Sequence, residues 1–224
     1  MSGKGSRKRL FIVGNGPLPS DMSERVDASD HVVRFNEPKA SIGMSGTKTD
    51  WLFVCNTGNP MQRRLKNPDY PTSPIVQAAD LIILVSHPIA VRKYGLRPNF
   101  LSWIKGRRAE WTWPALMMYG AAGKTVAVLP PAFYEEGCLE LGLEPYSLIK
   151  IRRFPSTGYF GIRYALARLP ADEWDVEIAG FDWQGWQRHA WGDERAWIEG
   201  KAKERNIRIW PTEDEKRAST SAEG

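Results

Sequence analysis

The run Leu10-Phe11-Ile12-Val13 carries no polar side chain and stops at Gly14-Asn15-Gly16-Pro17. An apolar stretch of that length, cut by a Gly-rich turn, reads as a strand. Similar runs lie near residues 31–35, 51–55, 80–85, 125–129, 175–180 and 207–210. Helical patterns fall between them, near 20–27, 74–79, 97–105, 131–141, 158–168 and 193–205. Strands alternating with helices predict an α/β fold: a single Rossmann-like domain with a mostly parallel twisted sheet and helices on both faces. Residues 56–73, rich in Pro, Gly and polar side chains, read as a loop. Residues 106–123, with Trp111, Trp113, Met117, Met118 and Tyr119, read either as core or as a lid over a site. The domain is expected to span 9–211, between a basic N-terminal arm (1–8) and a charged, flexible tail (212–224).

The carboxyl end of a strand is where open α/β sheets bind nucleotides. The turn after Val13 is neither GxGxxG nor GxxxxGK[ST], so neither the dinucleotide fingerprint nor the P-loop is present. A second anion-compatible turn stands at Pro155-Ser156-Thr157-Gly158. Ile162, Ala165, Leu166 and Leu169 follow it at helical spacing. Ser156 or Thr157 can cap that helix, and free N–H groups at a helix N-terminus suit a phosphate. The same residues also suit an ordinary capped helix with no ligand.

Net charge is +5 over 224 residues, with 42% hydrophobic residues and ten tryptophans. That composition supports a packed core and favours an anionic partner, such as a sugar nucleotide, a nucleic acid or a membrane surface. The basic residues cluster at Lys4-Arg7-Lys8-Arg9, Arg63-Arg64-Lys66, Lys105-Arg107-Arg108 and Lys150-Arg152-Arg153. Each cluster is a solvated face or an anion contact. The last directly precedes the 155–158 turn and is the expected helper for a phosphate there. No nucleic-acid recognition motif appears, so no nucleic-acid partner is expected. No apolar run approaches the ~20 residues that span a bilayer, and MSGKGSRKR lacks an apolar signal core. Cys55 and Cys138 form neither a disulfide framework nor a metal cluster, so a cytoplasmic location and no metal are expected.

Taken in order, the polar segments resemble the motifs of the sialyltransferase family, glycosyltransferase family 29. The large motif is matched by Ile12-Val13-Gly14-Asn15, then Asp30, then Val33-Arg34-Phe35-Asn36. The small motif is matched by Pro155-Ser156-Thr157-Gly158, and the later motifs by His189-Ala190-Trp191 and the H-x4-E pair His189 and Glu194. Gly180-Phe181-Asp182 resembles the family's glycine-containing strand end. The chain departs from the animal enzymes in lacking their cysteine bridge. It also has one histidine where they have two. It looks more like the short bacterial members, some of them named for a urease operon.

The resemblance implies a sialyltransferase-like variant of the GT-A fold over 9–211. It also implies a CMP-activated sugar as donor substrate, with no cofactor, and a glycan or other hydroxyl as acceptor. Asn15, Gly16, Asn36, Ser156, Thr157, Gly158 and Gly180 would bind CMP. Amides and hydroxyls suit that task because they bind phosphate and ribose without adding repulsive charge. His189 would be the general base, since histidine titrates near neutrality. Each of these residues also has a plain structural use: Asn15 and Asn36 as turn residues, His189 as a surface residue. Asp193 is expected to cap the following helix and Glu194 to sit in its first turn. His87, at a strand exit, is a candidate for the second histidine, whereas His31 reads as structural. The alternative function is a catalytically inactive, nucleotide-binding accessory protein.

Overall fold

The computed structural model describes residues 6–37, 43–95, 98–104 and 106–211. In chain order it contains β1 (Lys8–Val13), α1 (Ser23–Asp27), β2 (His31–Phe35), β3 (Trp51–Val54), α2 (Gly58–Lys66) and α3 (Pro74–Ala78). Then come β4 (Leu81–Leu84), α4 (Pro88–Tyr94), α5 (Phe100–Ile104), α6 (Thr112–Ala121), β5 (Thr125–Val128) and α7 (Pro131–Glu140). A π-helical turn (Ser147–Ile151) precedes α8 (Thr157–Arg168), β6 (Trp174–Ala179), α9 (Trp191–Glu204) and β7 (Ile207–Ile209).

The seven strands form one sheet in the order β5-β4-β3-β2-β1-β6-β7. Every pairing is parallel. The sheet is therefore wholly parallel, where the sequence implied mostly parallel. A parallel sheet has to bury both faces, and the strands show how. In β1, Leu10 and Ile12 point into one core with Tyr159, Phe160 and Ile162 of α8 and Ile198 of α9. Phe11 and Val13 point the other way, onto Met22 and Val26 around α1. On that second face, Leu52, Val54, Ile82 and Leu84 meet Met61 of α2, Val76 of α3 and Ala115 and Tyr119 of α6.

Some local expectations are corrected. Residues 56–73 are not all loop, because Gly58–Lys66 is helical. Pro60 lies in the first turn of α2, where a missing N–H costs no helical hydrogen bond. Residues 106–123 hold α6, with Trp111, Met118 and Tyr119 packed in the core but Trp113 and Met117 exposed. The N-terminal arm is partly built into the fold. Lys8 opens β1, and Arg7 binds Asp175 at 2.5 Å and the Trp174 carbonyl at 3.0 Å. Residues 1–5 and the tail 212–224 lie outside the described residues.

The chain steps outward from β1 to β5, then returns through α8 to place β6 on the other side of β1. The direction of winding thus reverses between β1 and β6, and in α/β sheets that crevice is where ligands bind. Here two backbones cross almost in contact. Gly14 N donates to Ala179 O at 2.7 Å, and Gly16 N donates to Gly180 O at 2.8 Å. A Cβ on Gly14 would fall 2.1 Å from Gly180 O, and Gly180 itself has φ +74°. Neither position tolerates a side chain without moving the other strand end.

Candidate active site

The loops at the carboxyl ends of β1, β2, β3 and β4 open onto one cavity of about 790 Å³, closed on the other side by α7, the start of α8 and the loop before α9. A volume of that size is typical of small-molecule sites. Asn15, Asn36, Thr157 and His189 all line it, although they come from four distant parts of the chain.

Asn36 ends β2 in the left-handed region, with φ 51°. Asparagine is one of the few side chains that accepts this conformation. Its Oδ1 accepts a hydrogen bond from Cys55 N at 2.8 Å, which ties the ends of β2 and β3 together. Because that partner is a donor, the oxygen must face it, which leaves the amide nitrogen to donate elsewhere. Asn15 stands at the end of β1, and its Oδ1 is buried without a hydrogen-bond partner. A buried, unpaired carbonyl oxygen is costly unless something else satisfies it.

The turn at 155–158 begins α8. Ser156 is its N-cap, accepting from Tyr159 N at 3.0 Å. The Ser156 hydroxyl donates to Glu194 Oε2 at 2.6 Å, and Ser156 N donates to Glu194 Oε1 at 2.7 Å. Ser156 is thus buried and turned from the cavity, whereas Thr157 beside it faces the cavity. Gly158 does not line the cavity either. A Cβ there would meet the Phe181 ring at 2.8 Å. Gly16 and Gly180 likewise serve the β1/β6 crossing and do not line the cavity.

Glu194 is the residue whose task the sequence hid. It lies in the first turn of α9, 1% exposed. Burial pushes its carboxyl up to about 7, against the lowering effect of the two Ser156 hydrogen bonds. Asp193 does not cap α9, since Ala190 occupies the N-cap position. Asp193 instead pairs with Arg153 at 2.7 Å. The charge of Arg153 is thereby committed. The cluster Lys150-Arg152-Arg153 does not line the cavity; Arg63, Arg64, Arg107 and Arg108 do.

His189 is held against the same turn. Phe154 N donates to Arg188 O at 2.7 Å, and Ala190 N donates to Phe154 O at 3.1 Å. His189 Nδ1 lies 3.2 Å from that same Phe154 carbonyl. A carbonyl only accepts, so Nδ1 carries the proton and Nε2 presents a lone pair. The ring is flanked edge-on by Trp186 and Trp191, with centroids 4.9 and 4.8 Å away. Burial lowers its pKa below the ordinary 6.5, with the Phe154 carbonyl working in the opposite sense. The imidazole is therefore neutral at pH 7. Trp186 stacks on Phe154 at 6.3 Å, and both line the cavity; sequence reasoning missed them because neither sits within a motif's defining letters.

The other histidines do not join His189. His87 caps α4, its Nδ1 accepting from Ile89 N at 3.2 Å, and does not line the cavity. His31 opens β2 at the opposite end of the sheet, packed on Trp51. Among the described residues there is no group of three or more His, Cys, Asp or Glu placed to hold a metal. No described helix is long and apolar enough to cross a membrane.

No family model matches the chain. It is similar to the urease operon 23 kDa accessory protein of Rhizobium meliloti (strain 1021), 29% identical over 208 residues, which is 91% of this chain and 93% of that protein. Among solved structures, it superposes on a mammalian sialyltransferase with TM-score 0.53 at 18% identity, covering 92% of this chain and 70% of that one. It also superposes on the sialyltransferase CstII from Campylobacter jejuni, solved with the substrate analogue CMP-3FNeuAc. There the TM-score is 0.52 at 16% identity, over 90% of this chain and 80% of that one. The chain therefore has the sialyltransferase fold, matching the resemblance carried by its motifs.

Proposed function

We propose that the protein is an inverting glycosyltransferase that takes a CMP-activated, sialic acid-like sugar. The observation that carries this reading is the convergence of Asn15, Asn36, Thr157 and His189 on one cavity at the winding reversal of the sheet. In this reading the free amide of Asn36, the unpaired Oδ1 of Asn15 and the hydroxyl of Thr157 bind CMP. The partial positive charge at the start of α8, where Thr157 faces the cavity, favours its phosphate. Ser156, Gly16, Gly158 and Gly180 shape the backbone around the nucleotide without touching it through side chains.

His189 Nε2 takes the acceptor hydroxyl's proton as the acceptor oxygen bonds to the anomeric carbon. The bond from that carbon to the phosphate oxygen breaks, and CMP leaves with the electron pair. A single displacement of this kind inverts the anomeric centre. The Phe154 carbonyl, hydrogen-bonded to Nδ1–H, stabilises the imidazolium that forms. Rate is expected to be flat above pH 7 and to fall on acidification, with a midpoint below 6.5 because burial lowers the His189 pKa.

Two measurements test the reading. Saturating CMP should raise the melting temperature, because a ligand at a hundred times its Kd stabilises by about 2.7 kcal/mol. No shift at any CMP concentration overturns the nucleotide assignment. His189→Ala should abolish transfer from CMP-sialic acid and leave the CMP shift intact; retained turnover removes His189 from the chemistry. A second reading, a nucleotide-binding accessory protein without transfer, is favoured by one observation: His189 is the sole histidine lining the cavity among the described residues. CMP binding without transfer or hydrolysis across a broad acceptor panel would select it.

A further inference from the structure

The cavity lining carries two kinds of polar group. Asn15, Asn36, Thr157 and His189 are neutral, while Arg63, Arg64, Arg107 and Arg108 are cationic; Arg64 stands near Asn36, with which it shares Cys55 and Tyr70 as neighbours. Glu37 is the one carboxylate among the described lining residues.

The four arginines are supplied by two segments. Arg63 and Arg64 come from the last turn of α2, after β3. Arg107 and Arg108 precede α6. Gly58 N donates to Ala109 O at 3.1 Å, and Thr57 bridges Glu110 in antiparallel fashion, which clamps the two segments side by side. Four guanidiniums held on one concave wall repel one another unless an anion joins them.

The bland explanation is that these arginines are merely solvated, or that they favour a helix C-terminus. It fits Arg63, Arg107 and Arg108, which are exposed. It does not fit Arg64, which is only 7% exposed. Its guanidinium donates to Cys55 O at 3.2 Å and lies over the Tyr70 ring, but its Nε is buried with no partner. Several other arginines are neutralised: Arg25 pairs with Glu177, Arg153 with Asp193 and Arg163 with Glu140. Arg205 also keeps buried nitrogens without partners, but it does not line the cavity. Buried Arg34 is satisfied by Lys48 O and Ser45. Arg64 has only the Cys55 carbonyl and the Tyr70 ring, with no ion pair among the described residues and its Nε unmet, and a buried charge so poorly compensated is costly.

We propose that this wall binds an anionic group, a phosphate or a carboxylate, carried by the acceptor. The acceptor would be an already acidic sugar or polyol, whose free hydroxyl then lies toward His189. Guanidinium forks match both oxyanions in a bidentate manner, and a lining with few carboxylates rejects cationic acceptors. Assignment to the acceptor rests on the reading above that Asn15, Asn36 and Thr157 take CMP.

The test uses the full chain, with and without saturating CMP. Glycerol 3-phosphate, glucuronate and uncharged galactose are titrated at constant ionic strength, and melting temperature and calorimetry are followed. At least one charged probe should bind saturably on top of CMP, and galactose should not; comparing the first two separates phosphate from carboxylate. Arg64→Gln, and separately Arg107→Gln with Arg108→Gln, should weaken that probe by at least about tenfold, the loss of one charge-assisted hydrogen bond. Affinity for CMP should be unchanged. The exposed pair keeps the test valid if Arg64→Gln fails to fold. Competition of the charged probes with CMP, or with the intact donor analogue CMP-3FNeuAc in a parallel titration, would overturn the proposal, because the arginines would then hold the donor's own phosphate or carboxylate. Absence of saturable binding by either charged probe, or unaltered binding in the exposed double variant, would overturn it as well. If CMP itself does not bind but glycerol 3-phosphate does, and needs Arg107 and Arg108, the anion site stands and the nucleotide reading falls.

Discussion

At the scale of single residues, the pair formed by Glu194 and Ser156 has the clearest consequence. Glu194 joins the start of α9 to the start of α8 and so fixes Thr157 relative to His189. Its carboxyl is harder to ionise in the folded chain, at about 7 against an ordinary 4.5, chiefly because of burial. The folded state therefore holds the proton longer than the unfolded state. Below pH 4.5 both states are protonated and there is no penalty. Between pH 4.5 and 7 rising pH removes stability, by an amount on the order of 3 kcal/mol in total. His189, with its lowered pKa, acts in the opposite sense below pH 6.5. Because it is common to wild type and variant, it cancels in their difference. Glu194→Gln should flatten the decline between pH 5 and 7.5 measured by urea unfolding; identical pH slopes would refute the buried-charge account. Glu194→Ala leaves the buried Ser156 N–H and hydroxyl without acceptors and should cost about 2–4 kcal/mol below pH 4.5, and less as pH rises toward 7. This pairing was not legible in the sequence, since the partners lie 38 positions apart and Glu194 reads there as an ordinary first-turn acid. The arginines illustrate the same limit. Arg63-Arg64 and Lys150-Arg152-Arg153 look alike as charge runs, and only the fold decides which one faces the concavity.

At the scale of elements, seven strands were legible because each is a short apolar run or, as in β6 and β7, alternates apolar with charged residues. Helices were read less completely. α2 was hidden by Gly58-Asn59-Pro60, and α4 by its short length and its start at Pro88. α8 was read well, because its cap and its apolar spacing agree. What spacing did not show is how closely α8 lies on the sheet. Gly161 faces Phe35, whose Cε1 would stand 2.3 Å from an added Cβ, with Cζ at 2.9 Å and Phe53 Cδ2 at 3.1 Å. Gly161→Ala therefore sets two effects against each other. Helix propensity favours alanine by about 1 kcal/mol. Overpacking against a rigid ring costs about 1–3 kcal/mol. Phe35 and Phe53 are themselves packed on each other and on Phe181 and Tyr164, so neither ring has room to yield. With contacts this short the cost belongs at the upper end of that range, so the clash should win and the variant should be less stable by up to about 2 kcal/mol in urea. A neutral or stabilised variant would show that α8 can lift from the sheet more freely than this packing implies.

At the scale of the whole molecule, the winding reversal leaves β1 inside the sheet, with β5 and β7 at its two edges. β1 pairs with β2 on one side and with β6 along six residues on the other. Its side chains enter two different cores, and Leu10, Phe11 and Ile12 are fully buried. β5 and β7 are the edges, each paired on one side only, and β7 is just three residues long. No residue of β5 or β7 is fully buried, in contrast to β1. Local opening draws on the least-packed units first, and global unfolding sets the ceiling for the rest. Amide exchange should therefore be slowest in β1 and its neighbours β2 and β6, and fastest among the strands in β7 and β5. The order bears on function, because Asn15, Asn36 and the Gly14–Gly180 crossing sit at the ends of the slowest strands. A site hung on the most protected part of the sheet keeps its geometry while the edges fray, and the polar groups around the cavity are then preorganised before any ligand arrives. Exchange in β1 as fast as in β7 would mean that the reversal point opens independently, and the cavity would have to be treated as formed on binding.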